Sequence, residues 1–210
     1  MNKSMPVSSW KRAFKQGFER KYIELVIYSY QKVLQKLAYR KPWENTRRNM
    51  LLEQMRKNKI HFGITFNIAS EAGVYDENYK DTGRIDICCY LSPFEEQYIA
   101  FECKRFLKKN IIPSYIRDEY YGEGIRRFES NTYTGSASFG GMIVFLEEGD
   151  FPKLQKTLLQ ELPQYTFNNN IDDISMDYNH KYVFQTTHGK GRECITLIHI
   201  LLDFTRTVST

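Results

Sequence analysis

RIDICCYLSPFEEQYIAFECKRF, residues 84–106, is the stretch on which the reading of the whole chain turns. Its two apolar halves, Arg84–Leu91 and Gln97–Cys103, read as β-strands joined by a turn at Ser92-Pro93. Asp86 lies in the first strand, and Glu102 and Lys104 lie at the end of the second. Two apart on a strand, Glu102 and Lys104 project to the same face. Fifteen residues lie between Asp86 and Glu102, which suits two antiparallel strands and their turn. The pairing gathers two carboxylates and an ammonium at one rim of a sheet. Both acids are set among Ile85, Ile87, Phe101 and Cys103. Charge in such surroundings is expensive unless it is paired or binds a metal.

Outward from this core, the pattern places the hairpin in a larger fold. Phe14, Phe18, Tyr22, Val26, Tyr30, Val33 and Leu37 recur in steps of three and four, predicting a long amphipathic helix over Ser9–Ala38. Lys41-Pro42 ends it, and a second helix is expected over Trp43–Lys57 with Met50, Leu51, Leu52 and Met55 inward. His61–Ile68 alternates as a strand, with Phe62, Ile64, Phe66 and Ile68 on one face, and Ser70–Thr82 reads as a polar loop. Pro113 opens a helix reaching about Ser130. Met142–Leu146 is an unbroken apolar run that fits a strand buried on both sides. A short helix over Phe151–Leu162 follows, and Lys181–Thr187 and Cys194–Phe204 close the chain as a hairpin. The order predicts an α/β (α+β) protein with helices around one mixed sheet. One domain fills residues 1–210: a helical extension (1–42), a core (43–147), and a C-terminal helix and hairpin (148–210).

Composition narrows the function classes. The 210 residues suffice for one well-buried domain, with 15 Tyr and 14 Phe to build it. Lys and Arg outnumber Asp and Glu by 30 to 25, an excess that suits an anionic partner such as nucleic acid and equally a slightly basic protein with no such partner. Cys88, Cys89, Cys103 and Cys194 include no CxxC pair, so neither a zinc site nor a disulfide framework is indicated. Met1–Trp10 has no apolar leader pattern, and Tyr22–Leu37 carries too many polar residues to span a bilayer. A cytoplasmic protein is expected. No Walker-type phosphate loop and no GxSxG elbow is present.

The arrangement of Asp86, Glu102 and Lys104 resembles the active-site motif of the PD-(D/E)XK nuclease superfamily, in which an acid and an E-x-K triplet sit on adjacent strands. That family's core runs helix, three strands, helix, strand, and residues 43–147, about half the chain, follow this order. Ile85 stands where the family often has Pro. The resemblance implies a restriction-endonuclease-like sheet and a metal-dependent nuclease, with a DNA endonuclease in defence or restriction as the expectation. It implies Mg²⁺ or Mn²⁺ held by Asp86, Glu102 and the Cys103 carbonyl, with Lys104 stabilising charge or orienting water. The family's core helix commonly adds an acid. Taking Leu51 as zero at about 100° per residue, Glu44 falls near ~20° and Glu53 on the opposite side. Glu44 is therefore the expected fourth site residue and Glu53 a surface charge; an ordinary helix N-terminal acid is the other account of Glu44.

The helix after the third strand often orients phosphate in this family. Arg126 and Arg127 are candidate phosphate contacts there, and Tyr121 and Tyr133 candidate base stackers. A solvated Arg pair over core aromatics explains the same residues. Gly122 and Gly124 inside that helix point to a close backbone approach to the sheet or a ligand. Lys190 and Arg192 flank a basic turn with His188 that suits a phosphate backbone or a plain hairpin; His199 reads as a core residue. Glu71 reads as a loop charge or a further site acid. The competing function is a nuclease-like module that binds nucleic acid or a protein partner without cutting. Apolar Tyr and Phe on the first helix beyond one face's need suit a homodimer, and a short chain suits a targeting partner protein.

Overall fold

The computed structural model describes residues 7–36, 44–75, 81–91, 98–130, 133, 139–166, 171–173, 183–190 and 193–205. Helices α1 (Val7–Lys36) and α2 (Glu44–Asn58) precede strands β1 (Ile68–Tyr75), β2 (Asp81–Tyr90) and β3 (Tyr98–Phe106). A composite helix follows, built from α3 (Pro113–Tyr115), a π-helix (Ile116–Ile125) and α4 (Arg126–Glu129). Then come β4 (Phe139–Leu146), α5 (Phe151–Glu161), β5 (Ile171–Asp173), β6 (Val183–Lys190) and β7 (Glu193–Asp203). The strands form one mixed sheet in the order β1-β2-β3-β4-β7-β6-β5. β3, β4 and β7 run parallel in the centre, flanked by antiparallel pairs at both edges.

Two cores cover the two faces of the sheet. On one, α1 and α2 pack over Ile87, Phe101, Ile143 and Ile200; on the other, the composite helix and α5 pack over Cys88, Ala100, Val144 and Leu201. The central strand β4 is buried at all eight positions, as expected for a parallel strand covered on both sides. Gly141 exists there for space: a Cβ would come within 2.3 Å of the Phe101 ring. Asp150 starts α5 by accepting the Lys153 amide at 2.9 Å, and Pro152 in the first turn costs no internal hydrogen bond.

α1 buries more than one stripe. Tyr22, Val26, Tyr30 and Val33 are inside as expected, and so are Ile23, Leu25 and Ile27. The Tyr22 hydroxyl donates to the Tyr90 carbonyl at 2.9 Å and Tyr30 donates to the Asp203 carbonyl, so the helix crosses the sheet from β2 to β7. Phe14, Phe18 and Leu37 lie outside the residues whose side chains are described. Among the described residues no helix is long and apolar enough to cross a membrane.

The first strand is displaced from its expected place. Lys59–Phe62 is a 3-10 turn, closed by Gly63 at φ 66° with its amide on the Ile60 carbonyl at 2.9 Å. The alternating apolar residues 61–68 are instead spent on packing: Phe62 meets the Tyr28 ring edge-on at 5.5 Å, and Ile64 and Ile68 are buried. β1 begins at Ile68 and uses the small and polar residues expected to be loop, because β2 supplies its ladder partner. The short β5 pairs with β6, from Ile171↔Thr186 to Asp173↔Phe184.

Candidate active site

Asp86 and Glu102 sit where β2 and β3 part. The antiparallel ladder runs from Tyr90↔Tyr98 to Ile87↔Phe101, which would next bring Asp86 opposite Glu102. There β3 continues instead along β4, from Ala100↔Gly140 to Phe106↔Leu146, while β2 continues along β1. Across the opening, the Cys103 amide donates to Asp86 Oδ2 at 2.8 Å. A side chain thus replaces the next ladder bond and holds the fork open at a fixed width.

Glu102 is 3% exposed. Its Oε1 faces Lys104 Nζ at 3.3 Å and Arg127 Nη1 at 3.4 Å, and its Oε2 is buried with no hydrogen-bond partner. Desolvation, then the neighbouring charge of Asp86, push the Glu102 carboxyl up to about 7, against the pull of Lys104 and Arg127. Lys104 shares the Glu102 face as its spacing requires, and also donates to the Glu123 carbonyl at 3.3 Å. That contact exists because the π-helix lies close on the sheet. A Cβ at Gly124 would stand 2.8 Å from Met142 Cε and 3.2 Å from Lys104 Cε. The close approach suggested by the helical glycines is therefore made at Gly124, against the sheet.

Arg127 is braced as well as paired. It donates to the Tyr133 hydroxyl at 2.7 Å, and that hydroxyl donates to the Arg84 carbonyl at 2.6 Å. Tyr133 is 1% exposed, so its ring supports Arg127 from within and offers no face to a base. Tyr121 likewise stacks on Tyr165, centroids 4.2 Å apart, and donates to Glu129 at 3.0 Å. Of the expected contacts in this helix, Arg127 reaches the site and Arg126 is exposed at the surface.

Helix α2 contributes two residues that the sequence pattern passed over. Arg48 Nη1 donates to Asp86 Oδ1 and its Nη2 to Glu71 Oε1, both at 2.7 Å. Burial disfavours the Arg48 charge, but these two carboxylates outweigh it and raise its pKa. Glu71 lies opposite Asp86, between the pairs Ser70↔Ile87 and Ala72↔Ile85, and has φ 52°. Arg47 turns the other way. It pairs with Glu147, which also takes Arg105 Nη2 at 2.7 Å, and lies 5.2 Å over the Phe204 ring. Desolvation, then Arg105, lower the Arg47 pKa to about 10. Arg47 and Arg48 were missed because charged residues are assigned to the outer face of a helix. The signal available was their position, one turn before Leu51 and Leu52 on the buried stripe.

Glu44 opens α2, but its side chain lies outside the described residues. Glu53 is exposed and pairs with Lys57, a surface charge as expected. Lys190 ends β6 with its side chain outside the described residues, and Arg192 lies outside them altogether. His188 is fully buried in β6, not in a turn.

His188 belongs to a second polar cluster. Tyr120 OH meets His199 Nδ1 at 2.7 Å, His199 Nε2 meets Thr186 Oγ1 at 2.7 Å, and Thr186 Oγ1 meets His188 Nε2 at 2.6 Å. His188 Nδ1 reaches the Tyr165 carbonyl at 3.1 Å and faces Glu129 Oε1 at 3.5 Å. A carbonyl only accepts, so His188 Nδ1 carries the proton and its Nε2 accepts from Thr186. Thr186 then accepts from His199 Nε2–H, and His199 Nδ1 accepts from Tyr120. One direction of donation satisfies every member. Burial accordingly pushes His199 far below the usual imidazole range.

Among the described residues no three His, Cys, Asp or Glu side chains are already gathered as a metal cage. The donor chemistry at the fork nevertheless fits a hard divalent cation: two carboxylates close enough to repel, one with a buried oxygen that nothing satisfies. Cys103 enters this site through its amide, given to Asp86. No protein-family model, curated protein or solved structure matches the chain.

Proposed function

We propose that this chain is a metal-dependent nuclease of the PD-(D/E)XK type with a restriction-endonuclease-like core, hydrolysing phosphodiester bonds, with DNA as the first substrate to test. The observation that carries the reading is the fork itself, where Glu102 lies within reach of the Asp86 charge, meets Lys104 and Arg127 through one oxygen and keeps the other buried and unsatisfied. Supporting it is the order α2, β1–β3, composite helix, β4, in which the acid and the E-x-K triplet occupy neighbouring strands.

Asp86 and Glu102 would hold Mg²⁺ or Mn²⁺. A cation bound there supplies Lewis-acid stabilisation of the phosphoryl oxygens and a more acidic water. The protein's own part is electrostatic and positional. Lys104, gripped by Glu102 and the Glu123 carbonyl, presents a fixed positive charge where negative charge develops on the phosphorus oxygens. Arg127, locked by Tyr133, offers a guanidinium to the adjacent phosphate, and exposed Arg84 and Arg126 extend the cationic approach. A role in defence or restriction rests on the family resemblance.

The test is cleavage of supercoiled plasmid and of RNA with Mg²⁺, Mn²⁺ or EDTA. Metal-dependent cutting is expected, with Asp86→Ala and Lys104→Ala each reducing it by about 10²-fold or more while circular dichroism is unchanged. Full activity in either variant overturns the site. Nucleic-acid binding without any cutting favours the second reading, a nuclease-like module that binds and does not cleave.

A further inference from the structure

α2 spans the fork. Its adjacent arginines go to opposite arms: Arg47 to Glu147 beside β3 and β4, Arg48 to Asp86 and Glu71 on β2 and β1. Arg48 is the more informative of the two, because of what it touches. Its side chain is 8% exposed and each terminal nitrogen has its own carboxylate at 2.7 Å. A guanidinium bridging two acids occupies the place in which a cation would neutralise them.

The two acids of the fork are unequally supplied. Asp86 has both oxygens engaged, Oδ1 by Arg48 and Oδ2 by the Cys103 amide. Glu102 keeps an oxygen with no partner. A divalent ion that takes both carboxylates therefore meets Arg48 already on Asp86 Oδ1, and two cations on one oxygen repel. Glu71 is the anchor that keeps Arg48 there. It is about half exposed, where water alone would solvate its charge, yet its backbone is held at φ 52°, a conformation costly for a residue with a Cβ. The ion pair with Arg48 supplies a reason for that strain.

We propose that Arg48 is an internal counter-cation that competes with the divalent metal for Asp86, with Glu71 anchoring it, so that metal binding and release of Arg48 are coupled. The inference rests on the assignment of Asp86 and Glu102 as metal ligands. Arg48 acts through Asp86 and is a positioning residue.

Calorimetric titration of Mn²⁺ into the whole chain, without nucleic acid, tests it. Replacing Arg48→Met keeps the length and removes the charge; Mn²⁺ should then bind roughly tenfold tighter or more, since one charge-assisted competitor is gone. Arg48→Lys, a single point charge, should fall between. Glu71→Asn tolerates the left-handed backbone, alters only a half-exposed side chain, and should tighten binding in the same direction by less. It carries the test alone should Arg48→Met fail to fold. A purely structural role for Arg48 would leave Mn²⁺ affinity unchanged or weaken it, and either result overturns the proposal. Weaker binding in Glu71→Asn also overturns it, making Glu71 a ligand instead. Mn²⁺ binding that Asp86→Ala abolishes but Arg48→Met leaves alone removes the competition and spares the metal site. No Mn²⁺ binding by any variant at millimolar concentration overturns both.

Discussion

The fork at Asp86 and Glu102 and the imidazole chain at Thr186 are both buried polar clusters under the same composite helix, but their accounts differ. Around Thr186 each donor finds an acceptor in one consistent direction. Around Glu102 an oxygen is left over, and two like charges stay close. A satisfied network stabilises and specifies the fold, whereas an unsatisfied one costs stability and persists where something outside the chain completes it. The two histidines are therefore structural, and the carboxylate with the poorest surroundings is the functional candidate.

The comparison breaks most sharply at His199. His199→Ala leaves Tyr120 and Thr186 without partners and opens a cavity, so about 3–5 kcal/mol of stability should be lost at pH 8 in urea denaturation. His199 titrates in the folded state well below its ordinary value, so its contribution is present above the ordinary histidine range. It fades as pH falls below about 6.5, where the unfolded chain takes up the proton. The deficit of the variant should shrink over the same interval. A variant as stable as the parent at pH 8 would remove the distinction between the clusters.

Glu102→Gln should move stability the other way. Because Glu102 titrates near 7 in the fold and near 4.5 in the unfolded chain, its contribution is present at low pH and lost as pH rises through that window. Without metal, the variant should exceed the parent by about 2–3 kcal/mol at pH 8, and the gap should close towards pH 4.5. Cleavage should vanish in the same protein. Equal or lower stability of Glu102→Gln at pH 8 would mean that Lys104 and Arg127 already satisfy the carboxylate. The smallest effect is expected at Tyr121→Phe, which loses one partly exposed bond to Glu129 and keeps the stack on Tyr165. Under about 1 kcal/mol should be lost, with DNA affinity unchanged in a filter-binding assay. A large fall in affinity would return Tyr121 to a ligand-stacking role.

Much of this was legible in the sequence, for reasons that differ from residue to residue. Asp86, Glu102 and Lys104 could be placed together because strand period and turn length are local properties. Fully buried strands such as β4 announce themselves by unbroken apolar runs. β1 was hidden because its residues are small and polar, and its strand character comes from β2. The alternating run before it misled because a left-handed Gly63 turns the backbone and periodicity does not register φ. Arg48 was invisible, and Glu71 stayed open between a loop charge and a site acid, for a further reason: each looks like a surface charge until the other, 23 residues away, is brought beside it.

The π-helix adds a constraint of phase. Over Ile116–Ile125 the backbone is wound more widely than an α-helix, with i→i+5 bonding, and Arg127 lies just beyond it. Winding is a running sum along the chain: each residue sets the heading of all that follow. The winding of this span therefore decides on which side of the helix Arg127 emerges, independently of any side chain at the fork. A change of side chain alters what is present at the fork, whereas a change of winding alters where it points.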